Sequence, residues 1–225
     1  MANTKDIIKG EEVILNIEPG MNILEVNKQL AEKNLKLLQK HNVQAIDIMG
    51  SIGAGKTSLI EKIVQKLKKR YRIAVFKGDL TTTIDAELIG RHGVQAITIN
   101  TGRECHLDAN VVARAMDRIS LDDIDLLIIE NVGNLICPAE FPLGTHKRVV
   151  VVSVTEGPYM IVKHPFTFMN ANVMVINKKD LAETMKISPK QLERQVKAIK
   201  PDIKVSFTNA LNGEGVEELI KALEL

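Results

Sequence analysis

The residues Gly50-Ser51-Ile52-Gly53-Ala54-Gly55-Lys56-Thr57 have the types and spacing needed to hold a chain of phosphates. They fit the G-x-x-x-x-G-K-[ST] pattern at each constrained position. The glycines let backbone N–H groups close around α- and β-phosphates. Ser58 and the residues after it read as a helix whose positive N-terminal end faces the same phosphates. Lys56 can reach the β- and γ-phosphates, and the Thr57 hydroxyl can ligate Mg²⁺. A Gly-rich turn without a ligand would have no use for the Lys-Thr pair.

A second set of residues addresses the base. Asn177-Lys178-Lys179-Asp180 closes an apolar run and matches the N-K-x-D pattern of GTP-binding proteins. The Asp180 carboxylate can accept from guanine's ring N–H and exocyclic NH₂, a donor pair that adenine lacks. Asn177 would brace the loop and contact the purine edge, and the Lys178 stem would lie along the base face. Asn209 and Ala210 resemble the last guanine-contacting loop of such proteins, with the Ala210 N–H meeting the guanine oxygen.

Acidic residues mark the γ-phosphate end. Glu130 closes the apolar segment Leu126-Leu127-Ile128-Ile129, with Gly133 three residues later. This is where a Mg²⁺-linked carboxylate and a phosphate-sensing N–H are expected. Asp79 is the candidate for orienting the attacking water or for the Mg²⁺ shell. Asp85 is a weaker candidate, because acids also start helices. No Gln stands after Gly133 to position water, so intrinsic hydrolysis is expected to be slow. The catalytic set is therefore Lys56, Asp79 and Glu130, and the Mg²⁺ set is Thr57, Asp79 and Glu130.

Cys105-His106 and Cys137 each follow a predicted strand on the nucleotide side. Two soft thiolates and an imidazole suit Zn²⁺ or Ni²⁺ far better than Mg²⁺. They are one ligand short of a closed tetrahedral site, which a second copy of the chain could complete at a dimer interface. Spacing alone leaves open whether Cys105 and Cys137 are ligands or small buried hydrophobes.

These residues need a scaffold that gathers loop ends on one side. Short apolar runs at 43–49, 73–77, 96–100, 126–130, 148–154, 173–177 and 203–207 read as strands. They alternate with helical patterns at 57–70, 84–91, 107–119, 189–198 and 215–224. The alternation predicts an α/β fold of P-loop NTPase type, a mostly parallel sheet with helices on both faces. Nucleotide sites on such sheets lie at the carboxyl ends of strands, where all these motifs fall. An amphipathic helix over 22–40 is expected to pack on this domain through Val26, Leu30 and Leu37, opened by an Asn22–Glu25 capping box. Residues 1–21 read as a lead-in and 22–225 as a single domain, with no repeat or low-complexity tract.

Composition is consistent with that scaffold. The 225 residues suffice for one α/β domain with a buried core. A net charge of +2 and the absence of Trp argue against a nucleic-acid partner. No run approaches the roughly 18 apolar residues of a membrane span. The first 20 residues lack a signal-peptide core, so a cytoplasmic location is the default. In that compartment two cysteines read as free thiols or metal ligands before a disulfide.

Taken with their neighbours, these motifs resemble HypB, a GTPase family that helps deliver nickel during maturation of nickel–iron hydrogenases. The resemblance runs from about Asn22 to the C-terminus. It rests on the phosphate loop, on Asn100-Thr101-Gly102-Arg103-Glu104-Cys105-His106-Leu107-Asp108-Ala109, on Ile129-Glu130-Asn131-Val132-Gly133-Asn134-Leu135-Ile136-Cys137-Pro138, on Leu143-Gly144-Thr145-His146-Lys147-Arg148, and on Asn177-Lys178-Lys179-Asp180. It implies a GTP-dependent homodimer of the SIMIBI class. In that family the matching Cys105, His106 and Cys137 bind Ni²⁺ or Zn²⁺ at the dimer interface, and the nucleotide state controls assembly and metal release. It also implies, as partners, a hydrogenase large-subunit precursor and a small zinc-binding maturation protein. Residues 1–40 contain neither Cys nor His, so the N-terminal nickel-storage motif of many members is not expected here. Thr81-Thr82-Thr83 and Tyr159-Met160-Ile161 also depart from the family pattern.

Competing readings differ at identifiable residues. A related GTPase family serving urease carries Cys-Pro-His where this chain has Glu104-Cys105-His106. ATP-dependent partitioning switches place an extra Lys where this chain has Ser51, and they lack the N-K-x-D pattern. A non-catalytic metal store would not need Lys56, Thr57 and Glu130 intact; a GTPase switch with structural zinc only is a further alternative.

Overall fold

The computed structural model describes residues 7–9, 22–79, 89–102 and 104–225. The weaker candidate Asp85, the segment Thr81-Thr82-Thr83 and most of the expected helix over 84–91 lie outside the described residues. Strands β1 (Ile7–Lys9), β2 (Gln44–Gly50), β3 (Ile73–Asp79), β4 (Gln95–Asn100), β5 (Leu126–Gly133), β6 (Lys147–Ser153), β7 (Val173–Asn177) and β8 (Lys204–Phe207) form one sheet. Their order is β1-β4-β3-β5-β2-β6-β7-β8, and every neighbouring pair is parallel. The expected parallel α/β fold is therefore present. Strand β1 was not foreseen: three residues of the lead-in pair with Thr98–Asn100 at the sheet edge.

Parallel neighbours cannot be joined by tight turns, so each connection crosses a face of the sheet. Side chains alternate along each strand, and here both alternating sets are apolar and buried. Ile46, Ile48, Val149, Val151, Val173 and Val175 face α2 (Lys56–Leu67) and α8 (Val216–Leu223). On the other face Phe76, Ile97, Leu127 and Ile129 meet α1 (Ile23–Lys40) and α3 (Ala109–Met116). Further along that face Val150, Val152, Met174 and Ile176 meet α5 (Met160–Lys163), α6 (Pro165–Met169) and α7 (Pro189–Ile199). Two-sided burial is why these strands read as continuous Val/Ile/Leu runs.

Helix α1 packs differently from the expectation. Asn22 caps it by accepting from the Leu24 N–H at 3.1 Å. The buried stripe is Asn27, Ala31, Asn34 and Leu38, whereas Val26, Leu30 and Leu37 are half-buried at its margin. The two buried asparagines serve as backbone clamps. Asn34 Nδ2 donates to the Ala109 and Leu143 carbonyls at 2.7 and 3.0 Å. Asn27 donates to the Pro142 carbonyl at 2.9 Å and accepts from the Ala109 N–H at 2.8 Å. Gly144 lets the chain approach this closely: a Cβ there would lie 2.2 Å from the Ala31 oxygen.

Strand β5 also runs further than expected, to Gly133. Glu130 is thus inside the strand. A register shift in β2 between Ile48 and Gly50 brings Gly50 opposite Gly133. The start of the phosphate loop and the strand that carries Glu130 are held side by side by this pairing.

Candidate nucleotide and metal site

The phosphate loop leaves β2 and enters α2 through Gly55, which has φ +97°. A Cβ at Gly55 would lie 2.3 Å from Asn177 Nδ2, so the loop can close only on glycine here. The first turn of α2, which includes Ser58, carries no acidic side chain, leaving its N-terminal dipole available to an anion. Lys56 is buried and donates to the Gly50 and Ser51 carbonyls at 2.9 and 3.1 Å. Burial is the main influence lowering its pKa, opposed by Glu130. A pocket of 280 Å³ lined by Ile52, Gly53, Lys56, Thr57, Asp79 and Glu130 opens beside it. The Thr57 hydroxyl donates to Glu130 Oε1 at 2.7 Å. Hydroxyl and carboxylate oxygens around one pocket fit Mg²⁺, a hard cation.

Lys77 belongs to this pocket and was missed in the sequence. It is buried, with Nζ 3.0 Å from Thr57 Oγ1 and 3.4 Å from Glu130 Oε1. The available signal was a lysine within the otherwise apolar β3, since a buried ammonium must sit near compensating charge.

On the base side, Asn177 ties three segments together. Its Nδ2 donates to the Ala54 carbonyl at 2.8 Å, while Oδ1 accepts from the Thr208 hydroxyl at 2.9 Å and the Ala210 N–H at 3.0 Å. The Ala210 N–H, expected to meet the guanine oxygen, is thus engaged by Asn177. Asn209 is largely buried and accepts from the Leu211 N–H at 3.0 Å. Lys178 takes a left-handed backbone conformation with φ +58°, and Asp180 is exposed at the mouth of the loop. A non-glycine residue in that conformation stores local strain, a recurrent feature of ligand-binding loops.

The two thiol segments meet at the same end of the sheet. Cys105 is exposed and Cys137 half-buried, both as free thiols. The neighbouring Cys137 thiol is the largest influence raising the Cys105 pKa, with burial adding to it. His106 Nδ1 lies 3.8 Å from Cys105 Sγ, and its ring packs on Phe141 with centroids 3.9 Å apart. Burial lowers the His106 pKa, favouring the neutral imidazole that a metal requires. Among the described residues of one chain, no three His, Cys, Asp or Glu side chains gather closely enough to enclose a metal ion.

A buried polar chain runs beneath these segments. The Asp47 carboxylate, within β2, accepts from Arg148 Nε at 3.1 Å and from Asn131 Nδ2 at 3.3 Å. Arg148 also donates to the Ala139 and Phe141 carbonyls at 3.1 and 3.3 Å, holding the short helix α4 (Cys137–Glu140) and the residue after it. Burial raises the Asp47 pKa, and the Arg148 charge counters it. Sequence reasoning overlooked Asp47, although a carboxylate inside Ala45-Ile46-Asp47-Ile48 signals a buried partner.

A phosphate loop between a central parallel strand and a helix, with an acidic residue on the adjacent strand, defines a P-loop nucleotide-binding protein. Residues 44–207 match the family model described as CobW/HypB/UreG, nucleotide-binding domain. The chain is 50% identical over 208 residues to the probable hydrogenase maturation factor HypB of Methanocaldococcus jannaschii, covering 92% of this chain and 94% of that one. The crystal structure of the hydrogenase maturation factor HypB from Archaeoglobus fulgidus superposes with TM-score 0.83 at 42% identity, covering 89% of this chain and 98% of that one. That of HypB from Helicobacter pylori in complex with nickel also gives 0.83, at 32% identity, covering 88% of this chain and 94% of that one. The chain belongs to the HypB family of GTPases. Among the described residues no helix is long and apolar enough to cross a membrane.

Proposed function

We propose that this GTPase binds nickel between two copies of the chain and delivers it during maturation of nickel–iron hydrogenases, with GTP driving the pairing. The observation that carries this reading is a juxtaposition. Cys105 and Cys137 adjoin at the strand end where Thr57, Asp79 and Glu130 line the γ-phosphate side of the nucleotide pocket. Lys56 and the loop amides bind the phosphates, and Asp180 selects guanine. Mg²⁺ held by Thr57, with Asp79 or Glu130, would neutralise phosphate charge. The thiols and His106 take Ni²⁺ or Zn²⁺ from the soft side of the ligand scale, with a second copy completing the shell. The partners are a supplier of nickel and a hydrogenase precursor that receives it.

The test is metal stoichiometry and solution mass in parallel, first with a non-hydrolysable GTP analogue and then with GDP. A metal-bearing dimer with the analogue, weakened or altered in metal content by GDP, supports the reading. Absence of metal in both states would remove the metallochaperone role and leave a GTPase of another client.

A further inference from the structure

We propose that Asn131 is the positioning residue through which the nucleotide pocket sets metal affinity, an inference that rests on the metallochaperone reading above. Asn131 directly follows Glu130 in β5 and is 1% exposed. Its Oδ1 accepts from the Leu107 N–H at 3.1 Å and from the Val132 N–H at 3.0 Å. Its Nδ2 donates to Asp47 Oδ1 at 3.3 Å. Leu107 is the residue after His106, so one contact fixes the exit of the Cys105–His106 segment. Val132 precedes Gly133, so the second fixes the pocket wall at the γ-phosphate end. Through Asp47 and Arg148 the same side chain connects to the carbonyls of Ala139, within the Cys137 helix, and Phe141, directly after it.

The chemistry requires this residue type. Two N–H donors face one side of the group and a carboxylate faces the other. An amide is both acceptor and donor in one plane and can meet both; an aliphatic residue can meet neither, and an ionised carboxyl only the first. A side chain needed only to fill the core would be apolar here, as its strand neighbours Leu127 and Ile129 are. Movement of the Glu130–Gly133 wall on a phosphate therefore displaces the Leu107 amide and, with it, His106 and Cys105. The direct link from Asn134 Nδ2 to the Cys105 carbonyl is longer, 3.4 Å, and exposed.

The decisive quantity is the ratio of nickel dissociation constants with GDP and with a non-hydrolysable GTP analogue. It is measured by chelator competition on the full chain as wild type, Asn131→Ala and Cys105→Ala. Wild type is expected to give a ratio on the order of 5- to 150-fold, the usual range for coupled sites. Asn131→Ala should still bind nickel in both states, with the ratio collapsed towards one. Cys105→Ala should lose interface nickel in both. A wild-type ratio persisting in Asn131→Ala overturns the inference and leaves the metallochaperone reading intact. A wild-type ratio of one, or full nickel binding by Cys105→Ala, overturns the reading and the inference with it. Hydrogen exchange of the wild-type protein keeps the inference falsifiable if Asn131→Ala does not fold. The Leu107 amide should differ in protection between the two nucleotide states, and equal protection overturns the role of Asn131.

Discussion

Lys56 and Asp180 illustrate how far a single side chain can be argued. The Lys56 ammonium is already seated on two carbonyls of the loop whose N–H groups would surround a phosphate, so binding reorients it over a short distance. Lys56→Ala should lower GTP turnover by about a hundredfold or more, the usual effect of deleting a preorganised transition-state charge. Phosphate-release kinetics at saturating GTP would check this, and near-normal turnover would remove Lys56 from the catalytic set. In the proposed role Asp180 acts through an acceptor pair. Asp180→Asn replaces one acceptor with a donor that faces guanine's own donors. Affinity for GTP should fall by at least about a hundredfold, with xanthosine triphosphate gaining, because a buried mismatched polar group is costlier than a missing contact. Competition binding with both nucleotides decides it, and unchanged preference would place base recognition elsewhere.

At the scale of elements, α1 is held to the domain by polar clamps as well as apolar contact. Asn34→Ala leaves the Ala109 and Leu143 carbonyls buried without that donor. The expected cost is about 1–3 kcal/mol, seen as a melting temperature lower by several degrees. An unchanged melting temperature would mean that water replaces the amide. The Asp47–Arg148 pair makes a sharper prediction. Arg148→Met strands a buried carboxylate and should cost about 3–5 kcal/mol. The double variant Asp47→Leu/Arg148→Met should recover most of that loss, because no lone charge remains buried. Denaturant titrations of the single and double variants would measure the difference. Equal destabilisation of both would show that Arg148 acts by holding the α4 carbonyls and not by neutralising Asp47. The sheet itself was legible because two-sided burial writes each central strand as an apolar run. The α1 face was misread because its buried stripe contains two asparagines, whose burial depends on carbonyls more than seventy residues away.

For the whole molecule, the proposed metal site calls for a second copy of the chain, because one chain gathers too few ligands among the described residues. With a GTP analogue and nickel, solution mass should double relative to the GDP form, as measured by light scattering. Cys105→Ala and Cys137→Ala should each lose interface metal while keeping GTP binding, because both thiols lie outside the phosphate and base contacts. Metal content equal to wild type in those variants would sink the assignment. The sequence by itself determined the phosphate-loop motif, the N-K-x-D motif, the parallel α/β class and the pair of thiol segments. Each of these depends on residue types at short spacing or on local periodicity, which one chain segment carries alone. Tertiary structure decided the rest. It placed Lys77 beside Thr57 and Glu130, engaged the Ala210 amide with Asn177, and joined Leu107, Asn131, Asp47 and Arg148 into one buried chain. Those contacts join residues far apart in sequence. Only the order and register of the strands bring them within hydrogen-bonding distance, and neither follows from the local pattern of any single segment.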